Sequence, residues 1–171
     1  RDLEQVTRCL LGWIAADAKV TPLKALQGLI WEHGYREGHF RAEIYPDALA
    51  RLQAWHAAGV PVYVYSSGSI RAQDLYFAHT IDGDLRPLLR GLFDTTSGPK
   101  TDPESYRRIA AAIGVPPAAV RFLSDLVGEL DAAAATGMYT CWVVRPTDST
   151  ADAGQVGTSL HPVAASLVDV P

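Results

Sequence analysis

Cysteine is scarce in this chain: Cys9 and Cys141 are the only two among 171 residues. They lie far apart in apolar contexts. That counts against a disulfide framework or a zinc site and fits reduced core thiols of a cytoplasmic protein. A basic excess is also missing. The formal net charge is −4, which argues against a surface that tracks nucleic-acid phosphates. A small phosphorylated partner stays open, because one local Lys is enough to meet it. No apolar run approaches membrane-spanning length, and Arg1-Asp2-Leu3 does not begin a signal peptide. No internal repeat and no Gly-rich nucleotide fingerprint occur. Gly-x-Ser-x-Gly is absent too, so a serine-hydrolase elbow is unsupported. What is present is an ordinary globular composition, 48% hydrophobic and 20% charged. The length suits one domain with a real core and a small appended unit.

Helices are expected over 5–18 and 22–38, with Thr21 as cap, Pro22 at the first helical position and Leu23, Leu26, Leu29 and Ile30 on one apolar face. Asp47 reads as the N-cap of a helix over 48–58, with Leu49, Leu52 and Trp55 inward and Gly59 as the stop. Val60 to Tyr65 reads as a buried strand, followed by a helix from about Ser69 to Ala78. Asp102-Pro103-Glu104 opens a helix that ends at Gly114. A strand over 120–124, a helix over 126–136 and a strand from Tyr139 to Val144 follow. The tail beyond Pro146 reads as irregular, with Val163 to Val168 packing back. Strands alternating with helices over 60–145 imply an α/β fold with a parallel, Rossmann-like sheet. Residues 1–45 alternate with nothing and read as a helical cap; residues 46–171 read as the core.

Three strand ends carry suitable chemistry. Ser66-Ser67-Gly68-Ser69 offers hydroxyls and helix-start amides to a phosphate, the plain alternative being a Ser-rich helix cap. Lys100 sits in a turn after Gly98-Pro99 and can bring a point charge to a phosphoryl oxygen, the alternative being a solvated surface Lys. Asp125 ends an apolar run, where open α/β sheets bind ligands. Its carboxylate could hold Mg²⁺ with phosphate and waters, or simply cap the next helix. Glu129 lies one turn further along that helix; Asp131 is expected to face solvent.

The combination is more specific than its parts. Tyr63 to Ser69, Ala72-Gln73, Gly91 to Lys100, Phe122 to Asp125 and Glu129 to Ala133 resemble the enolase-phosphatase E1 (acireductone synthase) family of the haloacid dehalogenase superfamily. Lys24 to Trp31 and Ile44 to Asp47 resemble it as well, and the likeness spans roughly residues 10–146. The resemblance implies a haloacid dehalogenase core with a helical cap and a Mg²⁺-dependent phosphatase of methionine salvage. Its reaction would convert 2,3-diketo-5-methylthiopentyl 1-phosphate to acireductone and phosphate. It also implies that Ser66 and Ser67 bind the substrate phosphate, that Lys100 orients and neutralises it, that Asp125 ligates Mg²⁺, and that the protein is a monomer.

One part of that family's pattern is missing. The resemblance calls for a nucleophilic Asp-x-Asp at the end of a first core strand, between the strand ending at Ser66 and the strand ending at Asp125. The only Asp-x-Asp here is Asp82-Gly83-Asp84, which reads as a turn because Asp-Gly is a common turn dipeptide. The chain is therefore expected to be the carboxy-terminal part of a longer protein, inactive alone, with its 60–65 and 120–124 strands not paired directly. The alternative is a non-catalytic binding module without a nucleophile.

Overall fold

The computed structural model describes residues 2–16, 18, 20–146 and 160–170. Helices α1 (Leu3–Ala15) and α2 (Thr21–Arg36) come first. Then follow α3 (Pro46–Ala57), β1 (Tyr63–Tyr65), α4 (Ile70–Ala78) and β2 (Gly91–Phe93). The second half holds α5 (Pro103–Ile113), β3 (Arg121–Ser124), α6 (Val127–Ala134), β4 (Tyr139–Val143) and β5 (Val163–Ala164). Every pairing between these strands is parallel. Parallel pairing needs crossover connections, and α4, α5 and α6 lie between successive strands.

Among the described residues the strands form two sheets, β1-β2 and β3-β4-β5. β1 and β3 do not pair, as the sequence led us to expect. Tyr106 of α5 connects the two. It is 1% exposed, and its ring meets Tyr65 of β1 at 5.7 Å and Phe122 of β3 at 4.9 Å, both edge-on. Met138, Ala110, Ala132 and Ala133 complete that cluster. A second cluster, Cys141, Ala164 and Val170, packs with Trp55 and Leu123 and holds the returning tail against the sheet.

Several local expectations meet corrections. The α3 helix starts two residues early, because Pro46 takes the first helical position and Tyr45 the cap. Asp47 is thus no N-cap. Its Oδ2 instead accepts from Arg145 at 3.0 Å and from the Leu167 amide at 2.7 Å. Likewise α2 begins at Thr21 with Val20 at the cap position. Of its expected apolar face only Leu23 is buried, while Leu26, Leu29 and Ile30 are exposed. Cys9 is exposed and Cys141 buried. α1 buries no residue, so an apolar sequence context there does not become core. Strand β2 was not expected, since three residues carry no readable period.

Candidate functional site

The carboxyl ends of β1, β2 and β3 lead into the three segments singled out by sequence. After β1, the Ser66 amide donates to Phe93 O of β2 at 3.1 Å. Ser66 Oγ accepts from Gly68 N at 3.1 Å, a tight local turn. The helix cap is Ser69, whose hydroxyl accepts from Ala72 N. The Ser66 and Ser67 hydroxyls are therefore not used in capping α4, and Ser67 is exposed.

Two buried residues that the sequence reading gave no role hold this turn. Gln73 Nε2 donates to Gly68 O at 2.8 Å and to Phe93 O at 2.9 Å, fastening the serine turn to β2. Asp94 Oδ2 accepts from the Ile70 amide at 3.1 Å, and Oδ1 from the Thr96 amide and hydroxyl at 2.9 and 2.6 Å. Hydrogen bonds from Thr96 hold the Asp94 carboxyl below the usual carboxylate range. The signal available was an acidic residue directly after an apolar triplet, but a three-residue strand was too short to mark it as a strand end.

After β2, Lys100 is only partly exposed. Its Nζ lies 2.6 Å from Glu129 Oε2. The same carboxylate oxygen accepts from Ser124 Oγ at 2.8 Å. Glu129 is 6% exposed, so a nearly buried carboxylate joins the lysine turn to the end of β3. Lys100 is no loose surface lysine. Asp125 follows β3 with an exposed side chain. It does not cap α6, whose cap position is Leu126. Its backbone oxygen accepts from Trp142 Nε1 at 3.1 Å, which fixes its main chain while the carboxylate stays at the surface.

Lys100, Ser124 and Glu129 are thus brought into direct contact. Ser67 and Asp125 open on different cavities. One, of about 490 Å³, lies between the first two helices and the serine turn, and Trp13, Leu23, Trp31, Ser67 and Asp94 line it. The other, of about 370 Å³, is lined by Tyr45, Ser124, Asp125 and Arg145. Asp125 offers hard carboxylate oxygen of the kind Mg²⁺ takes. No cluster of three His, Cys, Asp or Glu suited to a metal occurs among the described residues. The donor set fits an ion held by one protein carboxylate with phosphate and water. Asp82-Gly83-Asp84 is a surface turn as expected: Gly83 has φ of +95°, and Asp84 pairs with Arg86 at 2.8 Å. Asp131 is largely exposed, and its Oδ1 accepts from His161 Nε2 at 3.0 Å.

A family model for haloacid dehalogenase-like hydrolases matches residues 7–137. An enolase-phosphatase E1 of Pseudomonas fluorescens is 56% identical over 144 residues, covering 84% of this chain and 63% of the relative. One of Pseudomonas aeruginosa is 52% identical over 171 residues, covering 99% of this chain and 72% of the relative. The chain therefore spans less than two thirds of the first relative's length. The crystal structure of the UTR4 protein from Saccharomyces cerevisiae superposes with a TM-score of 0.82 at 35% identity, covering 96% of this chain and 74% of that one. The chain belongs to the haloacid dehalogenase-like hydrolase family, within its enolase-phosphatase E1 group.

Proposed function

We propose that this chain forms the greater part of a Mg²⁺-dependent enolase-phosphatase of methionine salvage. Its substrate is 2,3-diketo-5-methylthiopentyl 1-phosphate, and its products are acireductone and phosphate. The observation that carries the reading is the Lys100–Glu129–Ser124 contact beside Asp125, where the segment after β2 meets the carboxyl end of β3 in a parallel α/β fold. Residues 1–45 act as the cap and 46–171 as the core. Ser66 and Ser67 bind the phosphate, Lys100 orients it and offsets charge on its oxygens. Asp125 would hold Mg²⁺, which supplies further charge neutralisation at the phosphoryl oxygens when bound.

The nucleophile is a carboxylate on a strand lying between β1 and β3, where neither strand has a partner among the described residues. The residues of β1 and most of those of β3 are partly buried, and unpaired backbone groups cost more the less water reaches them, which supports a further strand there. That carboxylate takes the phosphoryl group as the ester oxygen leaves, and water then cleaves the acyl phosphate.

A second reading is a binding module without catalysis. It is favoured by one observation: the only Asp-x-Asp, Asp82-Gly83-Asp84, sits in an exposed turn. Phosphate release from the diketone phosphate separates the two. The protein with the additional strand is expected to release phosphate only with Mg²⁺, and chelation with EDTA to abolish it. Lys100→Ala is expected to lower kcat by about a hundredfold or more, the scale of losing one electrostatic stabiliser. Unchanged turnover in Lys100→Ala, or no Mg²⁺ dependence, would overturn the reading.

A further inference from the structure

The lysine turn is held in an unusual way. Three consecutive carbonyls, those of Gly98, Pro99 and Lys100, each accept a side-chain hydroxyl. Tyr65 Oη donates to Gly98 O at 2.7 Å. Ser105 Oγ donates to Pro99 O at 2.7 Å. Tyr106 Oη donates to Lys100 O at 2.6 Å. Ser105 and Tyr106 are 0% and 1% exposed, so two of the three donors act away from water. Loop carbonyls usually turn to water or to backbone amides. Among the described residues only Pro99 O of these three also takes a backbone amide, from Asp102 at 3.1 Å.

The donors come from two elements. Tyr65 ends β1, and Ser105 and Tyr106 lie in the first turn of α5. Together they tie the backbone of Lys100 to the sheet on one side and to the helix on the other. Gly98 completes the fit. Its φ is +125°, and a Cβ there would lie 2.2 Å from Ser105 Oγ, so a side chain would drive the turn off its serine donor. Tyr65 also presents its ring to the ammonium, with Nζ 5.9 Å from the ring centroid.

We propose that Tyr65, Ser105 and Tyr106 are positioning residues for Lys100: their hydroxyls fix the backbone from which the ammonium reaches a phosphoryl oxygen. The catalytic side of the proposal rests on the reading of Lys100 given above; the positioning itself does not. A flexible four-carbon stem gives a lysine ammonium many positions. Fixing its backbone with three bonds, and its head with Glu129, removes most of them before substrate arrives. Pre-set geometry of this kind lowers a barrier because no reorganisation remains. Both phenols are O–H donors at neutral pH, as any tyrosine is, and burial pushes their titration higher still.

Tyr106→Phe, Tyr65→Phe and Ser105→Ala each remove one donor and leave the packing. The first readout is acetylation of Lys100 by acetic anhydride, followed by mass spectrometry. Lys19 and Lys24, the only other lysines, give the reference rate in the same sample. The ratio for Lys100 is expected to rise about fivefold in each variant, the factor matching one hydrogen bond of middling net strength. Glu129→Gln, which loosens the ammonium directly, gives the upper limit. The second readout is phosphate release by the protein with the additional strand, where kcat is expected to fall by a similar factor with KM less affected. A lower melting temperature with an unchanged Lys100 ratio would reduce the three hydroxyls to structural braces and overturn the proposal. A raised ratio without any phosphate release by the protein with the additional strand would leave the positioning intact and sink the phosphatase reading instead.

Discussion

At the scale of single residues, two carboxylates of the site, Asp94 and Glu129, are nearly buried. Asp94 is 8% exposed and accepts three hydrogen bonds, two of them from Thr96. These bonds favour its charged form and depress its pKa below the ordinary value of 3.8. The unfolded chain therefore binds this proton more readily than the folded one. Stability from Asp94 is fully present above about pH 4 and is lost as pH falls through its depressed folded value. Urea unfolding between pH 6 and pH 2.5 tests this. Asp94→Asn should be less stable at pH 6 and should lose less further stability on acidification than the wild type. Equal acid slopes would remove Asp94 from the account.

Among elements, the joint between α3, β4 and the tail is the one to probe. Asp47, in the first turn of α3, accepts from Arg145 just after β4 and from the Leu167 amide of the returning tail. Its carboxyl is buried enough to resist charging, yet the Leu167 amide and the Arg145 guanidinium outweigh that and lower its pKa. Arg145 stacks over the Tyr45 ring at 4.1 Å and is largely buried. Asp47→Ala leaves that guanidinium without its carboxylate. The expected loss is about 2–3 kcal/mol, less than for a fully buried pair because both side chains keep some solvent contact. The tail should also loosen, with faster amide exchange and proteolysis over residues 160–170. A loss below about 0.5 kcal/mol, the range of ordinary surface pairs, would show that Asp47 carries no such joint.

Across the whole molecule, Tyr106 is where two sheets without a shared strand meet. Its ring contacts both β1 and β3 and its hydroxyl holds the lysine turn. Tyr106→Ala should cost about 3–5 kcal/mol in urea unfolding, the usual range for emptying a buried aromatic site. Tyr106→Phe should cost much less and change the lysine turn alone. Equal losses in the two would mean that the hydroxyl, not the ring, joins the halves.

Much of this was legible in the residues themselves. The helix start at Asp102-Pro103 and the stop at Gly114 follow from local backbone chemistry, so the sequence determined them, whereas α6 ends at Ala134, short of Gly137. The apolar runs before Ser124 and Val144 likewise determined β3 and β4. Local pattern also placed Ser66, Ser67 and Asp125 at strand ends and Lys100 in a turn, and motif resemblance named their chemistry. Tertiary structure decided the rest. Asp47 became a cross-chain acceptor rather than a cap, because its partners lie 98 and 120 residues away. Leu26, Leu29 and Ile30 share a helix face by period, yet period cannot say whether anything packs on that face. Glu129 joined Lys100, and three hydroxyls joined the turn below it, only when β1, α5 and α6 converged. A sequence encodes the residues that can bond; which of them do is set by distances that exist only after the chain has folded.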